Sequence, residues 1–212
     1  MVAEAAARAI AARGEFSLVL TGGSVAKGVY PLLRRLATDW SAWRFYWGDE
    51  RCLPVDHPDR NSRVAGELWL DHVPVNADRV HVPPAELGAE AAARRYDPLL
   101  RDQPAFDLVL LGLGEDGHVA SLFPGHDWGE TEVAPAVIAV HDAAKPPPER
   151  ISLSAWRLGL ADTVLVIATG PAKAAAVAAW RRGEPLPARA ITPVGGLDVW
   201  VDRACLGEHN LS

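Results

Sequence analysis

The sequence predicts an α/β fold, a doubly wound, mainly parallel sheet of Rossmann-like type, on three observations. Short apolar runs at Ser17–Leu20, Phe106–Leu111 and Thr163–Ala168 have the length and content of buried strands. Each is followed by a glycine-bearing turn: Thr21-Gly22-Gly23-Ser24, Gly112-Leu113-Gly114 and Thr169-Gly170-Pro171. Strand-like and helix-like segments alternate along the chain, with no long linker and no internal repeat. In such a fold the loops leaving the carboxyl ends of the strands gather on one edge, where ligands bind.

The elements follow in order. Val2–Arg13 is an alanine-rich helix stopped near Gly14, and Ser17–Leu20 is the first buried strand. A helix then runs from Val25 to about Ala37. Ahead of it, the turn Thr21–Ser24 brings orphan N–H groups, the helix dipole and two hydroxyls together, which makes an anion site. It lacks the Gly-Lys-Ser/Thr ending of a P-loop, and Lys27 reads as solvated. Arg44–Trp47 is an aromatic strand that ends in three charges, Asp49, Glu50 and Arg51. Asn61 is placed to cap a helix over Ser62–His72, and Arg60 and Asn61 are polar site candidates. Arg79–Val82 reads as a strand and Glu86–Arg101 as an amphipathic surface helix.

Residues 126–149 read as irregular apart from a strand at Ala136–Val140. Arg150–Ser154 alternates polar and apolar, like a strand with one wet face. A helical turn at Trp156–Ala161 precedes the strand Thr163–Ala168, and Pro171 opens a helix over Ala172–Arg182. Lys173 in its first turn opposes the dipole, so it needs an anionic partner, a carboxylate or a ligand phosphate. Val199–Val201 is a last short strand, followed by a turn at Asp202–Ala204.

The stretch Phe106–Gly125 organises the rest. Gly112-x-Gly114-x-x-Gly117 matches the dinucleotide fingerprint in letters. Glu115 and Asp116 would repel a pyrophosphate, however, and Pro124 cuts short the helix that the fingerprint requires. Asp116, two residues before His118, instead reads as a base with its own orienting carboxylate; the blander alternative is a histidine that caps a turn. His126 and His141 share no metal-ligand spacing with His118 and Asp116, so no metal is expected. On one sheet edge, Thr21–Ser24, Asp49–Arg51, Asp116–His118 and Lys173 would combine an anion site, cations, a carboxylate and a histidine. That set suits hydrolysis of a phosphorylated small molecule.

Composition sets the bounds. A chain of 212 residues, 49% hydrophobic with eight Trp, suits one α/β domain over residues 1–212. A net charge of −6 with no basic stripe argues against a nucleic-acid partner. No run approaches the ~20 apolar residues of a membrane span, so no membrane partner is expected. Glu4, Arg8 and Arg13 interrupt the first helix, unlike a signal peptide. Cys52 and Cys205 read as free thiols in a reducing compartment, which points to a cytoplasmic protein.

Taken in order, these residues closely resemble the 6-phosphogluconolactonase family. The likeness runs from about Leu18 to Ala204 and rests on Thr21-Gly22-Gly23-Ser24, Asp49-Glu50-Arg51 and Asn61. It rests further on the block Gly112–Gly125 with its Asp-Gly-His and Ser-Leu-Phe-Pro-Gly, on Arg150 opening Arg-x-Ser-x-Ser, and on Lys173. Ala26 departs from a proline common after the glycine turn, and the family's usual opening strand is missing before the first helix.

The resemblance implies a fold similar to glucosamine-6-phosphate deaminase and hydrolysis of 6-phospho-D-glucono-1,5-lactone to 6-phospho-D-gluconate. It implies no metal or organic cofactor and a small phosphorylated sugar lactone as partner; the oligomeric state, a monomer or weak homodimer, is an expectation that the sequence itself does not fix. Carried over to this chain, His118 is the general base, Asp116 its support, and Arg51 the group that steadies the oxyanion or the substrate. Thr21, Gly22, Gly23, Ser24, Arg150 and Lys173 would grip the phosphate, with Asp49 and Asn61 beside them. The deaminases carry a glutamate five residues after the histidine and a tyrosine after Asp-Glu; Phe123 and Arg51 stand there in this chain. Both differences favour the lactonase over the deaminase. A sugar-phosphate-sensing domain without turnover is the remaining alternative, and it has no use for the acid–histidine pair.

Overall fold

The computed structural model describes residues 1–207. Its main sheet is parallel throughout. β1 (Phe16–Leu20) pairs with β2 (Trp43–Trp47), Phe16 beside Trp43 and Leu20 beside Trp47. On its other side β1 meets β4 (Phe106–Gly112), which pairs with β7 (Ala161–Ala168), which pairs in turn with β8 (Leu197–Val201). The spatial order is β2-β1-β4-β7-β8. A second, antiparallel sheet of β3 (Asp49–Arg51), β6 (Arg150–Leu153) and β5 (Val137–Val140) springs from the end of β2. Gly48 is the join: its N–H donates to Leu20 O, and its carbonyl accepts from Leu153 N.

Successive strand residues point to opposite faces, so the sheet feeds two cores. Leu108 and Leu110 of β4 enter one, Val109 and Leu111 the other. The first core is covered by α1 (Val2–Arg13), α2 (Gly23–Leu33) and α3 (Asn61–Leu68). The second is covered by α4 (Ala89–Asp102), α5 (Ala155–Gly159), α6 (Ala174–Arg181) and the antiparallel sheet. This is the expected doubly wound arrangement. Trp40, Trp43, Phe45 and Trp69 meet mostly edge-on or tilted in the first core, at centroid distances of 4.8–6.0 Å. Such pairs add about 0.5–1.5 kcal/mol each beyond burial. No helix among the described residues is long and apolar enough to cross a membrane.

Several local expectations change. The strand expected at Arg79–Val82 is a 3-10 turn over Ala77–Arg79 followed by a single bridge from Val80 to Phe45. The helix after the glycine turn spans Gly23–Leu33 and so does not reach Ala37. Arg150–Leu153 has no wet face, since all four residues are buried. Its polar side chains are satisfied inside: Ser152 Oγ accepts from Ser121 N at 3.2 Å and donates to Leu153 O at 3.0 Å. Asp49–Arg51 is a strand, although three consecutive charges carry no period that would betray one.

Arg157 is the largest electrostatic commitment of the second core. Its side chain is fully buried, its guanidinium lies 3.8 Å from the Phe106 ring centroid, and no carboxylate is within ion-pair reach among the described residues. Four carbonyls receive its donors: Leu100 O (2.7 Å), Gln103 O (3.0 Å), Pro104 O (3.0 Å) and Leu160 O (3.2 Å). Those carbonyls tie the end of α4 to α5 and the start of β7. Burial lowers its pKa to about 10, which still leaves it charged at neutral pH. Arg157→Ala strands the carbonyls and opens a cavity, and it is expected to destabilise the fold by about 3 kcal/mol. Thermal denaturation should register a fall in Tm of about 10 °C.

Candidate active site

A cavity of about 260 Å³ opens at the carboxyl edge of the parallel sheet. Thr21, Gly22, Gly23 and Ser24 form one wall, where β1 ends and α2 begins. The Tyr30 hydroxyl fixes that turn by accepting from Thr21 N at 3.0 Å and donating to Thr21 O. Since the first N–H groups of a helix have no intrahelical acceptor, this wall offers donors and a positive dipole end. Gly22 is obligatory for a packing reason: a Cβ there would overlap the Asn61 side chain.

β3 and the start of α3 supply the floor. Asn61 does not cap α3 as expected, because its side chain turns to Asp49, donating to the backbone O at 2.9 Å and to Oδ1 at 3.1 Å. Glu50 does the capping. Its fully buried carboxylate accepts from Asn61 N, Ser62 N and Arg51 N, each at 2.8 Å, with Arg60 Nε at 3.5 Å. Burial raises the Glu50 pKa against these N–H donors and Arg60. Arg51 and Asn61 are thereby tied to one carboxylate, and both line the cavity. Arg51 donates from Nη1 to Asp59 O at 2.6 Å, while its buried Nε has no acceptor among the described residues. Arg60, a candidate in the sequence, does not line the cavity; it binds Glu86, Leu53 O and Pro83 O.

His118 stands on the loop after β4, and Asp116 stands behind it. His118 Nδ1 lies 2.5 Å from Asp116 Oδ1, which also accepts from His118 N at 3.2 Å. A carboxylate on Nδ1 selects the tautomer protonated there and leaves Nε2 with its lone pair. Burial works against ionisation of Asp116, but the imidazole and its N–H bonds outweigh it and hold the carboxyl below its usual value. The pair is seated on Gly114, where a Cβ would overlap the imidazole and crowd Asp116 Oδ1. Gly114 N donates to His118 O at 2.7 Å, closing the turn. No helix follows this loop, in keeping with the rejection of the dinucleotide motif. The Phe123 ring packs 4.7 Å from the imidazole.

The remaining wall is cationic. Arg150 of β6 faces Arg51 of β3 across the antiparallel pair, with Asp49 Oδ2 4.0 Å from Arg150 Nη1. Ser121 Oγ donates to Asp49 Oδ2 at 2.7 Å. Lys173 lies just ahead of α6 and lines the cavity, and its anionic partner is Glu115, at 3.9 Å. The same Glu115 oxygen meets Lys145 at 3.2 Å. Thr21–Ser24, Asp49, Arg51, Asn61, His118, Arg150 and Lys173 thus share one cavity, and Asp116 is held through His118.

A family model described as glucosamine-6-phosphate isomerases/6-phosphogluconolactonase matches residues 1–200. The chain belongs to that family. It is 44% identical over 186 residues to a 6-phosphogluconolactonase of Streptomyces coelicolor, covering 79% of this chain and 71% of the relative. It is 38% identical over 196 residues to probable 6-phosphogluconolactonase 4, chloroplastic, of Oryza sativa subsp. indica, covering 82% of this chain but only 59% of the rice protein's length. The crystal structure of 6-phosphogluconolactonase from Thermotoga maritima is similar at a TM-score of 0.88 and 26% identity, covering 94% of this chain and 91% of that one.

The cavity includes one charged residue, Lys145, that the sequence pattern does not single out. It sits in a proline-rich loop with no periodic pattern. The available signal was composition: the chain has three lysines among its many arginines, and two of them line this cavity. His126 and His141 stay outside it. His141 is half-exposed between Glu90 at 3.2 Å and Glu149 at 3.0 Å, and these hydrogen bonds raise its pKa. A pKa raised on folding adds stability that is complete below the unfolded value of about 6.5 and vanishes as pH climbs through the folded value. His141→Gln should therefore lower Tm by about 2 °C near pH 5.5 and leave it unchanged near pH 8.5, the small size reflecting solvent exposure.

Proposed function

We propose that this chain hydrolyses 6-phospho-D-glucono-1,5-lactone to 6-phospho-D-gluconate, the lactonase step of the oxidative pentose phosphate pathway. The observation that carries this reading is the His118–Asp116 pair seated on Gly114 at a cavity that a helix N-terminus also lines. The phosphate rests in the Thr21–Ser24 turn and against Lys173, which leaves the lactone ring toward His118.

His118 Nε2 takes a proton from water as the water oxygen bonds to the lactone carbonyl carbon. The carbonyl electrons move to oxygen, and the Arg51 guanidinium at the cavity wall steadies that oxyanion. Asp116 supports the imidazolium through Nδ1. As the oxyanion collapses, the bond from the carbonyl carbon to the ring oxygen breaks, and Nε2–H returns its proton to the leaving oxygen. The acid so formed loses its proton to solvent. An activated ester needs only this base, a water and well-placed donors, so no metal or organic cofactor enters the reading. Asp49 and Asn61 hold the floor on which Arg51 and the glycine turn meet.

At position 123, where the deaminase pattern has a glutamate, an apolar ring faces the imidazole, which supports hydrolysis over ring-opening isomerisation. We take the unit to be one domain over residues 1–212, acting as a monomer or weak homodimer without a nucleic-acid or membrane partner. Two free thiols fit a reducing setting, the cytoplasm in our reading. Turnover of the lactone, corrected for spontaneous opening, tests the assignment. His118→Ala should lower kcat by about 10²–10⁴-fold, and Asp116→Asn by about 10–100-fold, with 6-phosphogluconate binding retained in both. Equal rates in wild type and His118→Ala would refute the role of the base.

A further inference from the structure

Arg150 spends most of its donors inside the protein. Nε donates to Pro147 O at 3.0 Å, and Nη2 donates to Lys145 O at 2.6 Å and to Pro146 O at 3.3 Å. Nη1 makes a long bond to Ser121 Oγ at 3.4 Å. The side chain is almost wholly buried, with the Phe123 ring centroid 5.6 Å from its guanidinium carbon. A guanidinium has five N–H groups in a rigid fork, and three successive carbonyls of one loop occupy three of them. That loop carries Lys145 and Pro146 into the cavity wall. Lys145 and Lys173 then converge on a single oxygen of Glu115, so one phosphate group can reach both ammonium groups.

From this geometry we infer that Lys145 is a second phosphate-binding lysine, paired with Lys173, and that Arg150 acts as the strut that positions it. The inference rests on the proposed function in taking the ligand to be a phosphorylated sugar. A phosphate monoester carries a charge of about −1.5 to −2 at neutral pH, which two ammonium groups and a helix N-terminus match. Glu115 keeps the lysines together until that dianion arrives, and its carboxylate is half-exposed and free to swing aside. Buried Arg150 cannot follow a ligand in this way, because leaving its carbonyls would strand them.

The experiment uses the whole chain with Lys145→Ala, Arg150→Gln and the double variant. Each is assayed with 6-phospho-D-glucono-1,5-lactone and with unphosphorylated D-glucono-1,5-lactone, and each is titrated calorimetrically with inorganic phosphate and with 6-phosphogluconate. Lys145→Ala should raise KM for the phosphorylated lactone about tenfold, with kcat within about twofold and turnover of the unphosphorylated lactone unchanged. Both phosphate ligands should bind about tenfold more weakly, and Lys145→Arg should restore most of the loss. Arg150→Gln should show the same pattern, and the double variant should be no worse than the poorer single one. An unchanged KM and phosphate affinity in Lys145→Ala would overturn the inference, as would an equal loss on both lactones. Losses that multiply in the double variant would also overturn it, returning Arg150 to direct phosphate contact. Should Arg150→Gln fail to fold, the Lys145 pair of variants decides. If wild type binds both phosphate ligands through Lys145 yet opens neither lactone, the lactonase reading fails while the two-lysine site stands.

Discussion

The floor of the cavity depends on one buried carboxylate. Glu50 is fully enclosed, and an ionised group in that position would be costly if it were left without partners. Three backbone N–H groups at 2.8 Å and the nearby Arg60 supply those partners. Because two of the N–H groups belong to the first turn of α3 and one to Arg51, the same bonds pin β3 against that helix. Arg51 and Asn61 then have fixed places, and Asn61 in turn fills the space beside Gly22. The glycine turn, the short strand and the helix are thus held to one another through a single group that itself lies outside the cavity lining.

Charge around the cavity is compensated before any ligand arrives. Asp49 answers Arg150 and Glu115 answers Lys145 and Lys173, while Asp116 accepts a hydrogen bond from the neutral imidazole of His118. These pairs differ in what they allow. Asp49 and Arg150 are buried and hydrogen-bonded on several sides, so they act as framework. Glu115 is exposed, and exposed ion pairs contribute little and rearrange readily. The two lysines beside Glu115 are therefore the adaptable charges of the cavity, and Asp49 and Arg150 the fixed ones.

Much of this was legible in the chain. β1, β4 and β7 are continuous apolar runs, as strands buried on both faces must be, and their turns announced themselves by glycine. The Asp116–His118 spacing was readable because a two-residue separation across a tight turn brings carboxylate and imidazole together by local geometry. Long-range partners were not readable in this way. The short strand Asp49–Arg51 pairs with Arg150–Leu153, about a hundred residues on, and no local period marks it. Arg79–Val82 misled for the reverse reason: β-branched residues there favour extension, but their contact with the sheet ends after one bridge.

The amino-acid pattern alone determined the class of fold, the edge on which the loops meet, and the types of group found there. Periodicity, glycine placement and local spacing act over a few residues, and those are the scales a linear pattern records. Tertiary structure decided which charges line the cavity and which hold the fold beneath it. It gave capping to Glu50 instead of Asn61, turned Arg150 inward onto three carbonyls, and drew Lys145 out of an apparently featureless loop to the side of Lys173. Burial and partner identity are properties of packing between segments far apart in the chain, and each of those outcomes follows from such packing.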